Sequence, residues 1–475
     1  MLIYAFMNHP HNFLQINGEQ DVDAVWAAAQ EAVKGHGAPE PAAATAEEAT
    51  AKEDTAKAGL SAASAATQER GKAAGITITV CGGGNAAHIA AGMFANNGAT
   101  VNLFFSFEDE AKRFREACDA NGGVDIVAKT GSFKGMPGVI TADPAEAIPQ
   151  SDIVLLIVPA FAHEPILRQI GPHLREKAAV GAIPGPGAFD LIALNCIGDV
   201  IKAKDITLFA GTSLPWACRF DEYGKKASLL GEKSRVDINT RPSKNEEINA
   251  RLASQLTALH NHTKFQCRGH FLTCTLWPTN AIIHPGVSYG IWHDWDGQPL
   301  DEAPLFYQNC NDFTGAVLDG LSNETKAAIE VLTANGADLS NWQTIDVYQR
   351  DVYGDVIDDD SSTARIFATN DAFRGLKAPM ITREDGKLEP NFNTRYFTED
   401  LPHGLAVLRG ICEICGVESP TMDKVLLWAQ PLCGLEYLVD GKIQGKDVAK
   451  SGCPQRFGIT TPEALIKGEI TPASE

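Results

Sequence analysis

The run Ile76-Thr77-Ile78-Thr79-Val80-Cys81 ends in Gly82-Gly83-Gly84, and the small-residue stretch Asn85-Ala86-Ala87-His88-Ile89-Ala90-Ala91 follows. The β-branched run predicts a strand, the glycines a tight turn and the small apolar stretch a helix. Gly82-x-Gly84-x-x-Ala87 fits the dinucleotide fingerprint with alanine in third place. The first glycine permits the turn, the second lets a pyrophosphate approach the backbone, and Ala87 lets the helix pack closely on the strand. The N–H groups of the helix N-terminus lack intrahelical acceptors and then face the phosphates. Glycine-rich turns are common, so the weight of this signal lies in its place between a strand and a helix. It nominates Gly82, Gly83, Gly84, Asn85 and Ala86 as cofactor-binding residues.

Further strand patterns follow: Ala99–Phe105, Asp152–Val158, Ala178–Ile183 and Ile206–Ala210. Repeated strand–turn–helix units predict an α/β fold with a mostly parallel, doubly wound sheet. Ligands of such sheets sit at the carboxyl ends of strands, so Pro159, Ala160 and Phe161 should line the cofactor cleft. His163, two residues on, is either a base or merely a cleft neighbour. The acid that binds ribose is expected near the end of the second strand, but that end reads Phe105-Ser106-Phe107, with Glu108 and Asp109 already in a helix start. Ser106 fits an N-cap there. Lys112 and Arg113 can meet a 2′-phosphate, although on a surface helix such residues are usually solvated. The reading favours NAD and leaves NADP open.

A chain of 475 residues is too long for one small core, and two domains are expected after an extension. The boundaries read as 1–74 for the extension, 75–268 for the Rossmann-type nucleotide-binding domain and 269–475 for a mostly helical substrate domain. Met1 to Ile16 holds no Lys or Arg and lacks a secretory n-region. Asp21 to Lys34 suits a short amphipathic helix. Gly35 to Ala74 is rich in Ala, Glu and Thr and reads as a disordered linker, too acidic for a transit peptide. The net charge of −20 argues against nucleic acid and anionic membrane as partners, and no stretch has the roughly 20 apolar residues of a membrane helix. Eleven scattered cysteines suit a reducing, cytoplasmic setting. Only Cys412 and Cys415 have C-x-x-C spacing; they read as core thiols on a helix, and no metal site is expected.

In the second half, helical periodicity dominates. His284 stands among apolar residues in Asn280-Ala281-Ile282-Ile283-His284-Pro285. Read from the residues alone, it is more often a satisfied buried histidine than a catalytic one, although its pKa suits acid–base work. Arg395-Tyr396-Phe397-Thr398-Glu399-Asp400 leaves two readings open. Either Arg395 and Glu399 form a surface pair, or Arg395 clamps a carboxylate while Asp400 orients the histidine.

At this point the chain resembles the opine dehydrogenases, particularly the octopine, alanopine and tauropine type. The matching stretches are Cys81–His88, Val158–Glu164, Leu214–Arg219, Ile283–Pro285, Trp295–Gly297, Glu302–Gln308, Arg395–Asp400 and Cys453–Gly458. They occur in family order across both expected domains, and the extension has no counterpart. The resemblance implies NAD(P)H-dependent reductive condensation of an amino acid with a 2-oxo acid, usually pyruvate, through an imine. It implies that His284 exchanges protons with the substrate, that Asp400 holds the imidazole and that Arg395 binds a substrate carboxylate. It also implies substrate contacts for Ser213 and Asn280, and a monomer.

Three positions depart from the family pattern. Pro186 stands in place of a glutamine, Ser213 in place of a threonine, and Asn280 in place of a tyrosine near the amino acid. The reaction class survives these changes, and the substrate stays open. Two other readings also stay open: a two-domain reductase of simple oxo acids without an amine, and a non-catalytic dinucleotide sensor.

Overall fold

The computed structural model describes residues 71–242, 245–277 and 279–471. The helix expected at Asp21–Lys34, and the expected linker as far as residue 70, lie outside the described residues. The last linker residues, Gly71 to Ala74, form a turn that packs: Ala73 is fully buried and its N–H donates to Asn97 O at 3.0 Å.

The first half carries twelve strands among the described residues: β1 Thr77–Cys81, β2 Thr100–Phe104, β3 Val124–Ala128, β4 Gly131–Gly135, β5 Ile140–Thr141, β6 Ile153–Leu156, β7 Ala179–Ala182, β8 Thr207–Gly211, β9 Trp216–Glu222, β10 Lys226–Glu232, β11 Arg235–Arg241 and β12 Lys264–Cys267. Its helices are α1 Asn85–Asn96, α2 Glu108–Asn121, α3 Pro144–Ala147, α4 His163–Ile170, α5 Phe189–Ala203 and α6 Glu246–Leu259. The large sheet has the order β12-β11-β8-β7-β6-β1-β2-β5. Its strands from β8 to β5 run parallel; β11 is antiparallel to β8, and β12 is parallel to β11. The chain moves outward from β1 to β2 and then returns to β6 on the other side of β1. That reversal opens a crevice beyond the carboxyl ends of β1 and β6, where Cys81 pairs with Leu156.

A second sheet, β4-β3-β10-β9, was not apparent in the sequence. It covers the outer side of α1. A Cβ at Gly92 would meet Ile126 Cγ1 at 2.7 Å, and Gly135 lies against the Gly92 carbonyl. Helix α1 is therefore enclosed between two sheets, and Ala86 to Phe94 are all buried. A helix that is apolar on every side needs such enclosure. Helix α2 begins with Glu108, Asp109 and Glu110, which suit the positive end of the helix, and ends at Gly122 with φ 65°. Its cap position is Phe107 without a side-chain cap bond, so the expected cap by Ser106 does not form.

In the second half come α7 Leu272–Leu276, α8 Asn280–Trp292, α9 Asp312–Ala334, α10 Ile345–Tyr353, α11 Thr363–Thr369, α12 Arg395–Thr398, α13 Ala406–Ile414, α14 Pro420–Leu432 and α15 Pro462–Lys467. Helix α9 is capped by the Asn311 side chain, which accepts from Thr314 N. Gly286 lets α8 approach α9 closely, since a Cβ there would meet Leu318 Cδ2 at 2.8 Å. Between α12 and α13 the chain makes a wide π-type turn over Leu401–Leu405, with His403 at φ −112°, ψ 15°. Cys412 belongs to the core and its thiol lies 3.9 Å from Met422 Sδ.

The two halves share hydrophobic core. Alternate residues of each central strand face opposite ways. Ile153 and Leu155 pack with α1, α6 and the second sheet. Val154, Leu156, Val180, Ala182, Leu208 and Ala210 join a continuous cluster that runs through α4 and α5 into Leu276, Ile282, Leu318, Leu405 and Leu465 of the second half. Polar contacts cross the same boundary. The Arg241 guanidinium bonds the fully buried Asp190 at 2.7 Å and Lys467 O at 2.7 Å, and Arg456 pairs with Glu164. No helix among the described residues is long and apolar enough to cross a membrane.

Candidate active site

The floor of the crevice is the glycine turn. Gly82 has φ 125°, and a Cβ there would meet Val158 Cγ1 at 2.8 Å and Ile157 O at 2.9 Å. Only glycine suits that backbone and that space. Gly83 is closed in from above: a Cβ would meet Glu110 Oε1 and Phe105 Cε1, each at 2.5 Å. Gly84 differs, because nothing lies within 4 Å of the position its Cβ would take. The first helical bond of α1 runs from His88 N to Gly84 O, so the N–H groups of Asn85, Ala86 and Ala87 have no intrahelical acceptor. An open cradle at Gly84 under a helix N-terminus fits a pyrophosphate. Asn85 spends its side-chain oxygen elsewhere, accepting from Phe220 N at 3.0 Å, so only its backbone faces that role.

His88 clamps this turn to the second sheet. Its Nδ1 contacts Gly84 O at 2.8 Å, and its Nε2 accepts from Gly224 N at 2.8 Å. The pair of contacts fixes the Nδ1–H tautomer. Burial pushes its pKa down to about 4. Glu110 is a residue that sequence reasoning missed. Its carboxylate stands over Gly83 and accepts from Tyr223 OH at 3.1 Å. Of the charged residues considered from the sequence, Glu108 and Asp109 are exposed, Lys112 pairs with Glu116 at 4.0 Å, and Arg113 lies 5.3 Å from the Tyr223 ring centre.

The turn after β6 forms the other lip. Phe161 is 58% exposed, whereas Ala160 is buried. His163 is fully buried, edge-on to Phe189, and burial with the nearby His403 pushes its pKa down to about 3. This corrects the expectation that it borders the cleft as a candidate base: α4 turns the side chain into the core.

In the second half, α8 carries His284 and the π-type turn follows Asp400. His284 Nδ1 and Asp400 Oδ2 are 2.8 Å apart, and both side chains are mostly buried. Gly404 makes this approach of the two elements fit, since a Cβ there would meet Ala281 Cβ at 2.9 Å. With Nδ1 engaged by the carboxylate, Nε2 is the nitrogen left to exchange a proton. Tyr396 stacks on the imidazole with centroids 3.8 Å apart.

Arg395 is 65% exposed and lies 3.9 Å from Glu399 Oε1. Glu399 is no surface residue. It is 7% exposed, and Oε1 accepts from Ala160 N at 2.7 Å. Burial raises its pKa to about 7 against the opposing pull of the Ala160 N–H. Ser213 is half-buried in the turn after β8, and Asn280 is exposed at the first residue of α8. Pro186 is half-buried in the turn after β7, beside Gly187, whose Cβ would meet His403 Cβ at 2.8 Å.

A glycine-turn crevice on one half, and a histidine–carboxylate pair on the other whose neighbour Glu399 reaches the turn after β6, fit a two-domain dinucleotide-dependent dehydrogenase. The alpha-helical domain of the NAD/NADP octopine/nopaline dehydrogenase family matches residues 267–433. Tauropine dehydrogenase of Arabella iricolor is 37% identical over 398 residues, covering 82% of this chain and 100% of that enzyme. Octopine dehydrogenase of Pecten maximus is 37% identical over 402 residues, covering 83% and 99%. A solved octopine dehydrogenase with NADH and L-arginine superposes with a TM-score of 0.77 at 36% identity, covering 84% of this chain and 100% of that one. The chain belongs to the opine dehydrogenase family and is an NAD(P)-dependent oxidoreductase acting on CH–NH bonds.

Proposed function

We propose that this chain condenses pyruvate, or a close 2-oxo acid, with an amino acid or a taurine-like amine, and that His284, Asp400 and Arg395 carry the chemistry. The supporting observation is the 2.8 Å contact of His284 with Asp400, whose neighbour Glu399 binds Ala160 N in the turn after β6. His284 Nε2 takes a proton from the substrate ammonium, which frees the amine lone pair. The amine nitrogen bonds to C2 of the oxo acid and gives a carbinolamine. The imidazolium returns its proton to the hydroxyl as water leaves, and the C=N bond forms. The bound dinucleotide supplies the hydride that reduces the imine carbon. Asp400 accepts from Nδ1–H and favours the imidazolium during these transfers. Arg395, 65% exposed beside Glu399, pairs with a substrate carboxylate. The relatives named for tauropine and octopine, and one solved with pyruvate, support this substrate class.

Pro159, Ala160 and Phe161 serve as the second wall of the dinucleotide site, and Ser213 and Asn280 contact substrate from the turn after β8 and the start of α8. The Glu110 carboxylate over Gly83 supports NADH as the preferred form, since a 2′-phosphate beside it meets a like charge. The domain division at about residue 268, a monomeric state and a cytoplasmic location belong to the same proposal.

The test is NADH oxidation with pyruvate against arginine, alanine, glycine, β-alanine and taurine, with product identified by mass. Oxidation that needs both substrates and yields a secondary amine supports the reading. Oxidation with pyruvate alone returns the simple oxo-acid reductase, and tight NADH binding without turnover on any pair returns the sensor.

A further inference from the structure

The helical segment that follows β6 begins at Ala160, and its first N–H groups lack intrahelical acceptors. The preceding residue is Pro159, which offers no capping side chain. The acceptor comes instead from 239 positions along the chain: Glu399 Oε1 takes the Ala160 N–H at 2.7 Å. Glu399 is 7% exposed, and its Oε2 has no hydrogen-bond partner. A buried carboxylate is costly, and a neutral side chain would join the same elements with less desolvation. The groups that face it are Arg395 and Asp400 on its own segment and the N–H groups of Ala160 and Phe161 across the boundary.

The segment 395–400 thus points three ways. Arg395 is exposed to solvent, Glu399 binds the dinucleotide half, and Asp400 holds His284. Glu399 and Asp400 are adjacent, so a displacement of the turn after β6 is passed to the carboxylate that orients the imidazole.

We infer that Glu399 is a positioning residue, a cap supplied by one half of the molecule to the other, which sets the His284–Asp400 pair against the lip of the dinucleotide crevice. The inference rests on the proposed catalytic role of that pair. It assigns Glu399 to alignment for turnover and not to dinucleotide affinity, which the glycine turn supplies.

The experiment compares Glu399→Ala, Glu399→Gln and Glu399→Asp with the wild-type chain and with His284→Ala, measuring kcat, NADH Kd and Tm. Glu399→Ala should lose at least about 10-fold in kcat with NADH Kd within about threefold. Gln keeps the reach of an acceptor oxygen to Ala160 N, whereas Asp keeps the charge and loses one methylene of reach. The expected order of kcat is therefore Gln above Asp, with rescue by Gln that a change of Tm alone does not explain. That order decides the matter even if the Ala variant does not fold. An Asp variant equal to or better than Gln overturns the inference, as does a kcat for Glu399→Ala within about twofold of wild type. If His284→Ala is inactive while every Glu399 variant is fully active, the catalytic reading stands and this inference falls. If His284→Ala is active, the reading beneath it falls first.

Discussion

Gly82, Gly83 and Gly84 are consecutive, whereas His284 and Asp400 stand 116 positions apart and meet only through folding. The glycine turn is shaped by its own strand and helix and by a wall one strand away, at Ile157 and Val158. The histidine pair depends on α8, on the π-type turn after Asp400 and on the close passage of Gly404 beneath Ala281. A locally built site tolerates distant change and fails at single atoms. An assembled site fails by loss of alignment, because a proton is transferred only at hydrogen-bond reach. The first should govern affinity and the second turnover.

His284→Ala should test this division hardest. Turnover should fall about 10²–10⁴-fold with NADH affinity held, as expected when general acid–base catalysis is removed. Parallel losses in both quantities would erase the distinction between the two sites. Gly84→Val is the converse variant. A branched side chain in the open cradle should weaken NADH binding by about 100-fold or more, ~2.8 kcal/mol, in a protein that still folds. Titration showing wild-type affinity would remove the pyrophosphate from Gly84. Asp400→Asn keeps shape and loses charge, so kcat should drop by about 10–10³-fold. Steady-state kinetics read this, and a kcat within about twofold of wild type would separate Asp400 from the chemistry.

A smaller effect should appear in stability. His88 is held neutral, with its pKa lowered to about 4 in the folded chain from an ordinary 6.5. Below pH 6.5 the unfolded chain therefore binds more protons. The stabilisation is complete above that pH and is lost as pH falls toward 4. The loss should be on the order of 2 kcal/mol by pH 5. Melting curves of the wild type and His88→Gln at pH 7 and pH 5 read it, and equal acid sensitivity in both would exclude His88 as the source. The smallest effect is expected from deleting residues 1–70, which should leave kcat and KM within about twofold. The cut belongs at residue 70, because Ala73 is buried and bonded to Asn97 O.

The sequence displayed the parallel strands, the glycine turn and the helical second half, because each is encoded by neighbours a few residues apart. It did not display the second sheet. Strands β3 and β4 are short and partly exposed, and β4 is flanked by glycines, so their pattern resembles loop. The all-round apolar character of α1 was a clue that something covered its outer side. His284 and Asp400 were paired through the family resemblance, since nothing local to either residue announces the other. His163 was misplaced because position in a turn does not say which way the side chain leaves it. Glu110 carried no motif that singled it out, and the i,i+4 spacing of Arg395 and Glu399 describes a salt bridge equally well on a surface and beneath one.

The shared core has a thermodynamic consequence. Val154, Leu156, Val180, Ala182, Leu208 and Ala210 are covered by the same cluster that fills the second half. Either half expressed alone would expose that apolar face to water, and exposed patches of this kind drive association. The described chain should therefore unfold in one cooperative transition, with no stable fragment left standing. Although the proposed chemistry divides between a half that holds the dinucleotide and a half that handles protons, the free energy of folding belongs to both together.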